Sequence, residues 1–192
     1  MMKSRCKWVN PESKIYIDYH DKEWGVPVYD DQLLFEYLTL EGAQAGLSWL
    51  TILKKRDGYR SLFEAFDIRK VAAFDEQKIK ALKNNPAIIR NELKIRSTVS
   101  NAKAILNIQK EEGSFSQFLW SYVNHQPIVN SWSTISNVPA STELSDSISK
   151  DLKKKGFKFT GSTIVYAFMQ AVGMVNDHTT DCFRYTTIRG KS

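Results

Sequence analysis

The sequence predicts an all-α protein, and three observations support this class. Apolar residues recur at spacings of three and four over most of the 192-residue chain, as they do on one face of an α-helix. Asp or Ser precedes several of these segments and Gly follows others, at the positions where helices are capped. No segment shows convincing strand alternation, and no internal repeat divides the chain. We therefore expect one compact domain spanning residues 1–192.

Two helices are predicted between residues 30 and 56. The segment DDQLLFEYLTLEG begins with aspartates that suit an N-cap, and it places Leu34, Tyr37, Leu38 and Glu41 at helical spacing. The segment AGLSWLTILKKR follows directly. It is apolar at its start and basic at its end, where cations complement the helix dipole.

The middle of the chain is predicted to contain two short helices and a long one. Asp67 and Asp75 can cap the short helices, and Pro86 suits the first turn of the long helix. Gly113 would end the long helix, and Ser114 can cap the segment FSQFLWSY that follows. The apolar face of the long helix is predicted to consist of Ile95, Val99, Ala102 and Leu106.

The last third of the chain predicts a surface loop and then two helices. Residues 124–141 contain two prolines among many Ser, Thr and Asn residues, which is typical of a loop. Within residues 144–173, the segments LSDSISKDLKKKG and STIVYAFMQAVG predict helices joined by the short connection FKFTG.

The connection between these two helices is a candidate DNA-binding hairpin. Gly156 and Gly161 flank it, and Lys158 lies inside it. Backbone amides at the start of the second helix can bind phosphate oxygens, so a helix-hairpin-helix DNA clamp is one hypothesis. A C-cap followed by a short connection between packed helices explains the pattern equally well.

Charge and composition limit the functional classes. The chain has 27 basic and 21 acidic residues and a pI near 9.2, which suits a polyanionic partner. A solvated basic surface is the alternative. No apolar run approaches the roughly 20 residues that span a bilayer, and the segment MMKSRCKWVNPE lacks the apolar centre of a secretory signal. We therefore expect a cytoplasmic protein with no membrane partner, in which cysteines are free thiols or metal ligands.

Four residues near the two ends of the chain form a candidate metal site. The motif NDHTTDC places His178 and Cys182 four residues apart, and Cys6 and His20 are the candidate partners. Together they would give a closed Cys2His2 set, which is typical of structural zinc. The alternative is that they are ordinary core or surface residues.

A closed metal site would join the segments 6–20 and 178–182, and so hold the two ends of the chain together. Asp177 is a possible hydrogen-bond acceptor for one of the imidazoles. The H-E-x-x-H motif of metalloproteases and the H-x-E motif of deaminases are absent from the sequence. The pattern therefore favours a structural metal over a catalytic one.

Glu41 is an acidic residue on a predicted apolar face. The first fifty residues are also rich in aromatic side chains: Trp8, Tyr16, Tyr19, Trp24 and Trp49. A carboxylate among such rings would form a slot that stacks on a flat cationic ring and accepts its N–H donors. The alternatives are that the helix ends near Gly42, which would expose Glu41 to water, and that the aromatic residues are ordinary core.

Long segments of the chain resemble one known family. The segments YHDKEWGVP, LEGAQAGLSWLTILKKR, FLWSYVNHQP and KKKGFKFTGSTIVYAFMQAVGMVNDH closely resemble the DNA-3-methyladenine glycosylase I family of bacterial alkylation-repair enzymes. The resemblance runs from Cys6 to Cys182. It implies a monomeric helix-hairpin-helix glycosylase that flips a nucleotide out of double-stranded alkylated DNA and releases free 3-methyladenine.

The resemblance also implies roles for individual residues. Glu41, as the catalytic residue, and Tyr19 would hydrogen-bond the base, while Trp8 and Trp49 stack around it and Tyr16 is a further contact. The implied DNA-backbone contacts of the hairpin are Gly156, Lys158 and Gly161. One structural zinc ion per chain would be bound by Cys6, His20, His178 and Cys182.

Two rival functions stay open at this point. A non-catalytic DNA-binding module, with its two chain ends joined by zinc, would bind DNA in a salt-dependent way and release no base. A zinc-dependent hydrolase would need one of the four ligands to be absent from the metal. Glu92 departs from the family pattern, in which a basic residue is expected, so the resemblance does not carry a phosphate contact over to this position.

Overall fold

The computed structural model describes residues 3–189, and most of them are helical. In chain order the helices are α1 (Lys14–Lys22), α2 (Asp31–Gln44), α3 (Trp49–Leu62), α4 (Ile68–Ala72), α5 (Glu76–Asn84), α6 (Glu92–Glu112), α7 (Phe115–Ser121), α8 (Glu143–Lys154), α9 (Ser162–Ala171) and α10 (Phe183–Arg189). This part of the chain also contains two 3-10 turns, Glu64–Phe66 and Ile135–Asn137, and two strands, β1 (Ile128–Val129) and β2 (Val175–Asn176). Between residues 3 and 189, no helix is long and apolar enough to cross a bilayer.

Side-chain caps begin several helices where the sequence predicted them. Asp30, Asp67 and Asp75 accept hydrogen bonds from backbone N–H groups at the starts of α2, α4 and α5, and Ser114 does the same for α7. Gly113 ends α6 with a φ of +86°, a left-handed conformation that favours glycine. These predictions are confirmed.

Two helices begin later than predicted. α3 starts at Trp49 because the Ser48 side chain accepts a hydrogen bond from the backbone of the first turn, so residues 45–48 form a turn. α6 starts at Glu92, where Asn91 is the cap, and Pro86 lies in the turn that follows α5. Asn and Ser cap helices as well as Asp does. Each helix therefore begins directly after its capping residue, Ser48 or Asn91.

The acidic residue at the start of α6 is paired within the protein. The Glu92 carboxylate forms ion pairs with Lys83 and with Arg96, one turn further along α6. Arg96 also pairs with Glu76 in the first turn of α5. The Glu92 carboxylate is therefore part of a group of surface ion pairs that link α5 to α6.

A short parallel strand pair anchors the predicted loop. Ile128 of β1 lies opposite Val175 of β2, and Val129 lies opposite Asn176. The prediction of no strand is wrong here, because two residues are too few to show alternation. The pairing fixes the loop of residues 124–141 against the segment that leads to His178.

α2 is the central helix. Every residue from Leu34 to Ala43 is buried, and the helix contacts α3, α6, α7 and α9. A helix that is surrounded on all sides belongs in a core. Its two buried carboxylates, Glu36 and Glu41, therefore each need a partner or a function.

A buried ion-pair cluster satisfies Glu36. The guanidinium of Arg56, a residue that is 7% exposed, donates to Glu36 on α2 and to Glu23 at the end of α1. Arg60 pairs with Glu36 from the solvent side, and the Tyr37 hydroxyl donates to Glu23. The cluster therefore joins α1, α2 and α3.

Replacing Arg56 with alanine should lower the free energy of unfolding by about 3 to 5 kcal/mol, because Glu36 would lose a buried partner. The matched control is Arg60→Ala. Its side chain is 43% exposed, so the loss should stay below about 1 kcal/mol. Urea unfolding measures both free energies. Equal losses in the two variants would contradict the claim that the buried pair of Arg56 with Glu36 contributes most of the stability of this cluster.

Candidate functional site

The four predicted metal ligands converge in one buried cluster. Cys6 precedes α1, His20 lies in α1, His178 follows β2 and Cys182 directly precedes α10. Their ligand atoms all lie within 4.8 Å of one another, and both cysteines are free. The Cys182 Sγ lies 3.4 Å from His20 Nε2 and 3.5 Å from His178 Nδ1. The Cys6 Sγ lies 3.4 Å from His178 Nδ1.

These separations suit a tetrahedral metal ion. Zinc binds thiolate sulfur at roughly 2.3 Å and imidazole nitrogen at roughly 2.0 Å, which puts neighbouring ligand atoms roughly 3.3 to 3.8 Å apart. The sulfur-to-nitrogen distances of 3.4 to 3.5 Å fall within that range. The cluster can therefore hold one metal ion between its four side chains.

Each imidazole of the cluster is oriented by a hydrogen bond at its other nitrogen. His20 Nδ1 lies 2.8 Å from the Asp21 carboxylate, and His178 Nε2 lies 3.1 Å from the backbone oxygen of Trp24. Because both partners are acceptors, the nitrogens that face the cysteines keep their lone pairs free for a metal. The prediction that Asp177 accepts from an imidazole is wrong, because its carboxylate accepts from side chains of α9.

The predicted base-binding residues line a cavity of about 400 Å³. α9 and part of residues 135–140 contribute to its lining. The structure therefore brings Glu41 and the aromatic residues together from α1, α2, α3 and the segments beside them. The predicted residues that line the cavity are Trp8, Tyr16, Tyr19, Trp24, Glu41 and Trp49.

The aromatic side chains form a connected wall. The Trp8 ring centroid lies 5.4 Å from Tyr16 and 5.0 Å from Trp24, in both cases with the rings nearly perpendicular. The Tyr19 and Trp49 centroids are 5.4 Å apart. The indole N–H groups of Trp8 and Trp49 are buried and have no hydrogen-bond partner among residues 3–189. The wall therefore offers stacking surfaces to a flat ligand.

The metal cluster supports this wall directly. Trp24 lines the cavity, and its ring packs against His178 with the centroids 4.5 Å apart. The backbone oxygen of Trp24 also accepts the hydrogen bond from the same imidazole. A metal ion that holds His178 would therefore hold Trp24 in position as well.

Glu41 is buried in the wall of the cavity. It is 5% exposed, and burial raises the pKa of its carboxyl to about 8. The pKa of the Tyr19 hydroxyl is also raised, first by burial and then by the nearby charge of Glu41. Since α2 continues to Gln44, the alternative in which the helix ends near Gly42 and exposes Glu41 is wrong.

The raised pKa of Glu41 predicts a stability that falls with pH. The ordinary pKa of a glutamate carboxyl is 4.5, and that of Glu41 in the folded protein is about 8. Between these two pH values the folded protein keeps a proton on Glu41 that the unfolded chain releases. The free energy of unfolding should therefore decrease as pH rises through this window, by an amount on the order of 4 kcal/mol.

Urea unfolding of the parent and of Glu41→Gln at pH 5 and pH 8 measures this effect. Glutamine does not titrate, so the variant should lose less stability than the parent between the two values. The same loss in both proteins would show that this carboxyl is not responsible.

The connection between α8 and α9 forms the predicted hairpin. Gly156 follows α8 with a φ of +92°, which favours glycine. Lys158 is exposed, and Asn101 of α6 bonds both its backbone N–H and its backbone oxygen. Gly161 precedes α9 without a side-chain cap, so the first N–H groups of that helix are available to a ligand. The three predicted DNA-backbone residues therefore lie on one short segment, which Asn101 joins to α6 at Lys158.

A further buried carboxylate, that of Asp177, organises the α9 side of the cavity, a role that the sequence did not predict. Asp177 is 1% exposed and accepts hydrogen bonds from Asn130, Trp132, Tyr166 and Gln170. Tyr166 and Gln170 belong to α9 and line the cavity. The one signal for this group in the sequence is the amide of Gln170 within the apolar stretch IVYAFMQAVG.

One family and several known proteins are similar to this chain over most of its length. Residues 8–185 match the model of the methyladenine glycosylase family. A DNA-3-methyladenine glycosylase from Haemophilus influenzae is 52% identical over 181 residues, which cover 94% of this chain and 97% of that protein.

Two solved structures share the fold. A crystal structure of a 3-methyladenine DNA glycosylase I has a TM-score of 0.91 and 49% identity, over 94% of this chain and 98% of the other. A variant of such an enzyme in complex with 3-methyladenine has a TM-score of 0.90 and 40% identity, over 93% and 96% of the two chains.

Proposed function

The chain belongs to the methyladenine glycosylase family, and from this premise we propose that it excises 3-methyladenine from alkylated double-stranded DNA. It hydrolyses the N-glycosidic bond as a monofunctional glycosylase of base-excision repair. It acts as a monomer in the bacterial cytoplasm. The observation that carries the proposal is Glu41, a buried carboxylate inside an aromatic cavity.

The cavity has the chemistry to recognise a flat cation. Methylation at N3 makes adenine positively charged while it is attached to the sugar. We assign stacking on the base to Trp8 and Trp49, hydrogen bonding to Glu41 and Tyr19, and a further contact to Tyr16. A carboxylate about 4 Å from the cationic ring gains on the order of 4 kcal/mol at an effective dielectric near 20.

The free energy needed to remove the proton from Glu41 must be subtracted from this electrostatic gain. With a pKa of about 8, the carboxyl of the empty cavity is mostly protonated at pH 7. Ionising it there costs about 1.4 kcal/mol, which leaves a net preference for the cationic base of roughly a hundredfold over neutral adenine. Because the cation shifts the pKa of Glu41 by roughly three units, the carboxyl is ionised in the complex.

The cationic base is also a good leaving group. When the bond between the sugar and the base breaks, its electron pair moves to the base, which departs neutral without a proton from a general acid. Water then adds to the sugar cation and releases a proton to the solvent. We assign no general base to this water, and the protein contributes chiefly by recognising the base and holding the nucleotide outside the stack.

We assign DNA-backbone contacts to the hairpin between α8 and α9. The amides around Gly156 and Gly161 can approach phosphate oxygens closely, and Lys158 adds a positive charge. These contacts carry no sequence information and depend on salt. They hold the duplex while the damaged nucleotide, whose pairing is weakened, turns out at a cost of a few kcal/mol.

We propose that the metal is one structural zinc ion per chain, bound by Cys6, His20, His178 and Cys182. Bound zinc would join the two ends of the chain. Four protein ligands fill its coordination, so it supplies no reacting water. The burial of all four residues supports this closed site and speaks against the zinc-dependent hydrolase.

Formation of abasic sites tests the proposed function. Methylated duplex DNA is incubated with the protein and then heated in alkali, which breaks the strand at each abasic site. We expect breaks that increase with time and protein concentration. Duplex binding without breaks would instead identify the non-catalytic DNA-binding module.

A further inference from the structure

Two buried polar side chains bond the backbone of the hairpin between α8 and α9 from inside the protein. Asn101 of α6 bonds Lys158 twice, because its Nδ2 donates to the backbone oxygen at 3.0 Å and its Oδ1 accepts from the backbone N–H at 2.8 Å. The hydroxyl of Ser149 on α8 donates to the backbone oxygen of Thr160 at 2.6 Å. The carbonyl groups of Lys158 and Thr160 therefore both point inward, toward the two helices.

The direction of these two carbonyl groups fixes the direction of two N–H groups. In a planar trans peptide, the C=O and the N–H of one unit point in opposite directions. The N–H of Phe159 shares a peptide unit with the Lys158 oxygen, so it points away from α6. The N–H of Gly161 shares a unit with the Thr160 oxygen, so it points away from α8. Neither N–H has a hydrogen-bond acceptor among residues 3–189, so both are available to a ligand.

The backbone of Phe159 shows why the hairpin needs this support. Its φ is +53°, in the left-handed region that bulky side chains rarely adopt. Rotation about this φ moves the Lys158 carbonyl relative to the rest of residue 159, and the hydrogen bond from Asn101 opposes that rotation. Without the bond, Phe159 would relax toward a negative φ, and the two N–H groups would change direction.

We infer that Asn101 and Ser149 are positioning residues for duplex binding, which turn two hairpin carbonyl groups inward and so direct two N–H groups toward phosphate oxygens. This inference rests on the proposed function, which assigns DNA-backbone contacts to the hairpin, and deepens it. Both side chains are buried, so they act through the hairpin backbone and do not contact the duplex themselves. Contacts to phosphate position the duplex on a protein, so these two residues should affect duplex binding and not the chemistry at the base.

Duplex affinity and base affinity together separate this role from a general structural one. Asn101→Ala and Ser149→Ala should each weaken binding of an undamaged duplex roughly tenfold, the factor for one lost hydrogen bond to a charged group. Fluorescence anisotropy with zinc-loaded protein measures this affinity. The KM for excision of 3-methyladenine should rise by a similar factor, while kcat stays within about twofold of the parent. Affinity for free 3-methyladenine, measured by tryptophan fluorescence, should not change, because neither residue lines the cavity.

The matched controls are Asn107→Ala on α6 and Ser147→Ala on α8. Both residues are exposed, so they do not bond the hairpin from inside, and both variants should bind the duplex with parent affinity. Titration with free 3-methyladenine gives the concentration of folded protein in each variant. A variant that folds poorly therefore does not imitate weak duplex binding.

The direction of the two N–H groups can be tested in the parent protein by NMR. Addition of an undamaged duplex to isotope-labelled, zinc-loaded protein should shift the amide signals of Phe159 and Gly161. Both shifts should become smaller in Asn101→Ala. If the two signals of the parent do not move when the duplex binds, the inference is wrong, whether or not the variants fold.

The outcomes separate this inference from the function on which it rests. A parent protein that releases no 3-methyladenine would refute the proposed function. A parent that releases the base, with parent duplex affinity in either Asn101→Ala or Ser149→Ala, would refute the inference and leave the function standing. Equal losses of duplex affinity, kcat and free-base affinity would also refute it, because they would indicate a general structural role.

Discussion

The Glu41→Gln protein should excise 3-methyladenine with a kcat/KM roughly a hundredfold below the parent, because glutamine keeps the size of the side chain and loses its negative charge. Affinity for undamaged duplex should change little, since the proposed backbone contacts lie on the hairpin between α8 and α9. Excision kinetics on methylated DNA and fluorescence anisotropy with an undamaged duplex measure the two quantities.

Glu36→Gln is the matched control for this prediction. Glu36 is also 5% exposed on α2, but its carboxylate pairs with Arg56 and Arg60 and does not line the cavity. The control should lose stability, while excision by the folded fraction should equal that of the parent. Equal losses of excision, base binding and DNA binding in Glu41→Gln would indicate a structural role for Glu41.

The Cys182→Ser protein should lose its zinc and at least about 3 kcal/mol of unfolding free energy. A structural metal binds the folded chain and not the unfolded one, so part of its binding energy is folding energy. Zinc content by atomic absorption and thermal unfolding with and without a chelator measure the effect. Asp181→Asn, at the exposed neighbouring residue, should keep both zinc and stability.

A structural role for the metal also makes a negative prediction about turnover. Metal added to folded, loaded protein should change neither the melting temperature nor the rate. An added metal that changed turnover without changing stability would contradict the structural assignment. So would a zinc-free Cys182→Ser protein that melts at the parent temperature.

The features that the sequence predicted depend on local chemistry or on scarcity. Asp67 and Asp75 cap helices through residues three positions away, so the cap is visible in the sequence itself. With two cysteines and three histidines in the whole chain, few metal-ligand sets were possible. Glu41 was detectable because helical spacing placed a carboxylate among apolar neighbours.

The features that the sequence did not predict depend on contacts between distant residues. Asn101 lies 57 positions before Lys158, whose backbone it holds, and no local pattern links the two. Asp177 resembles a partner for His178 in the sequence, but chain direction after β2 turns its carboxylate toward α9. The strand pair that brings Asn130 close to Asp177 is too short to give a periodic signal.

Chromatographic identification of the bases released from methylated duplex DNA tests the central claim most directly. The account predicts that zinc-loaded parent protein releases 3-methyladenine and leaves 7-methylguanine in the DNA, and that Glu41→Gln releases far less. If folded, zinc-loaded protein binds the DNA and releases no free base, the cavity does not support excision and the claim is wrong.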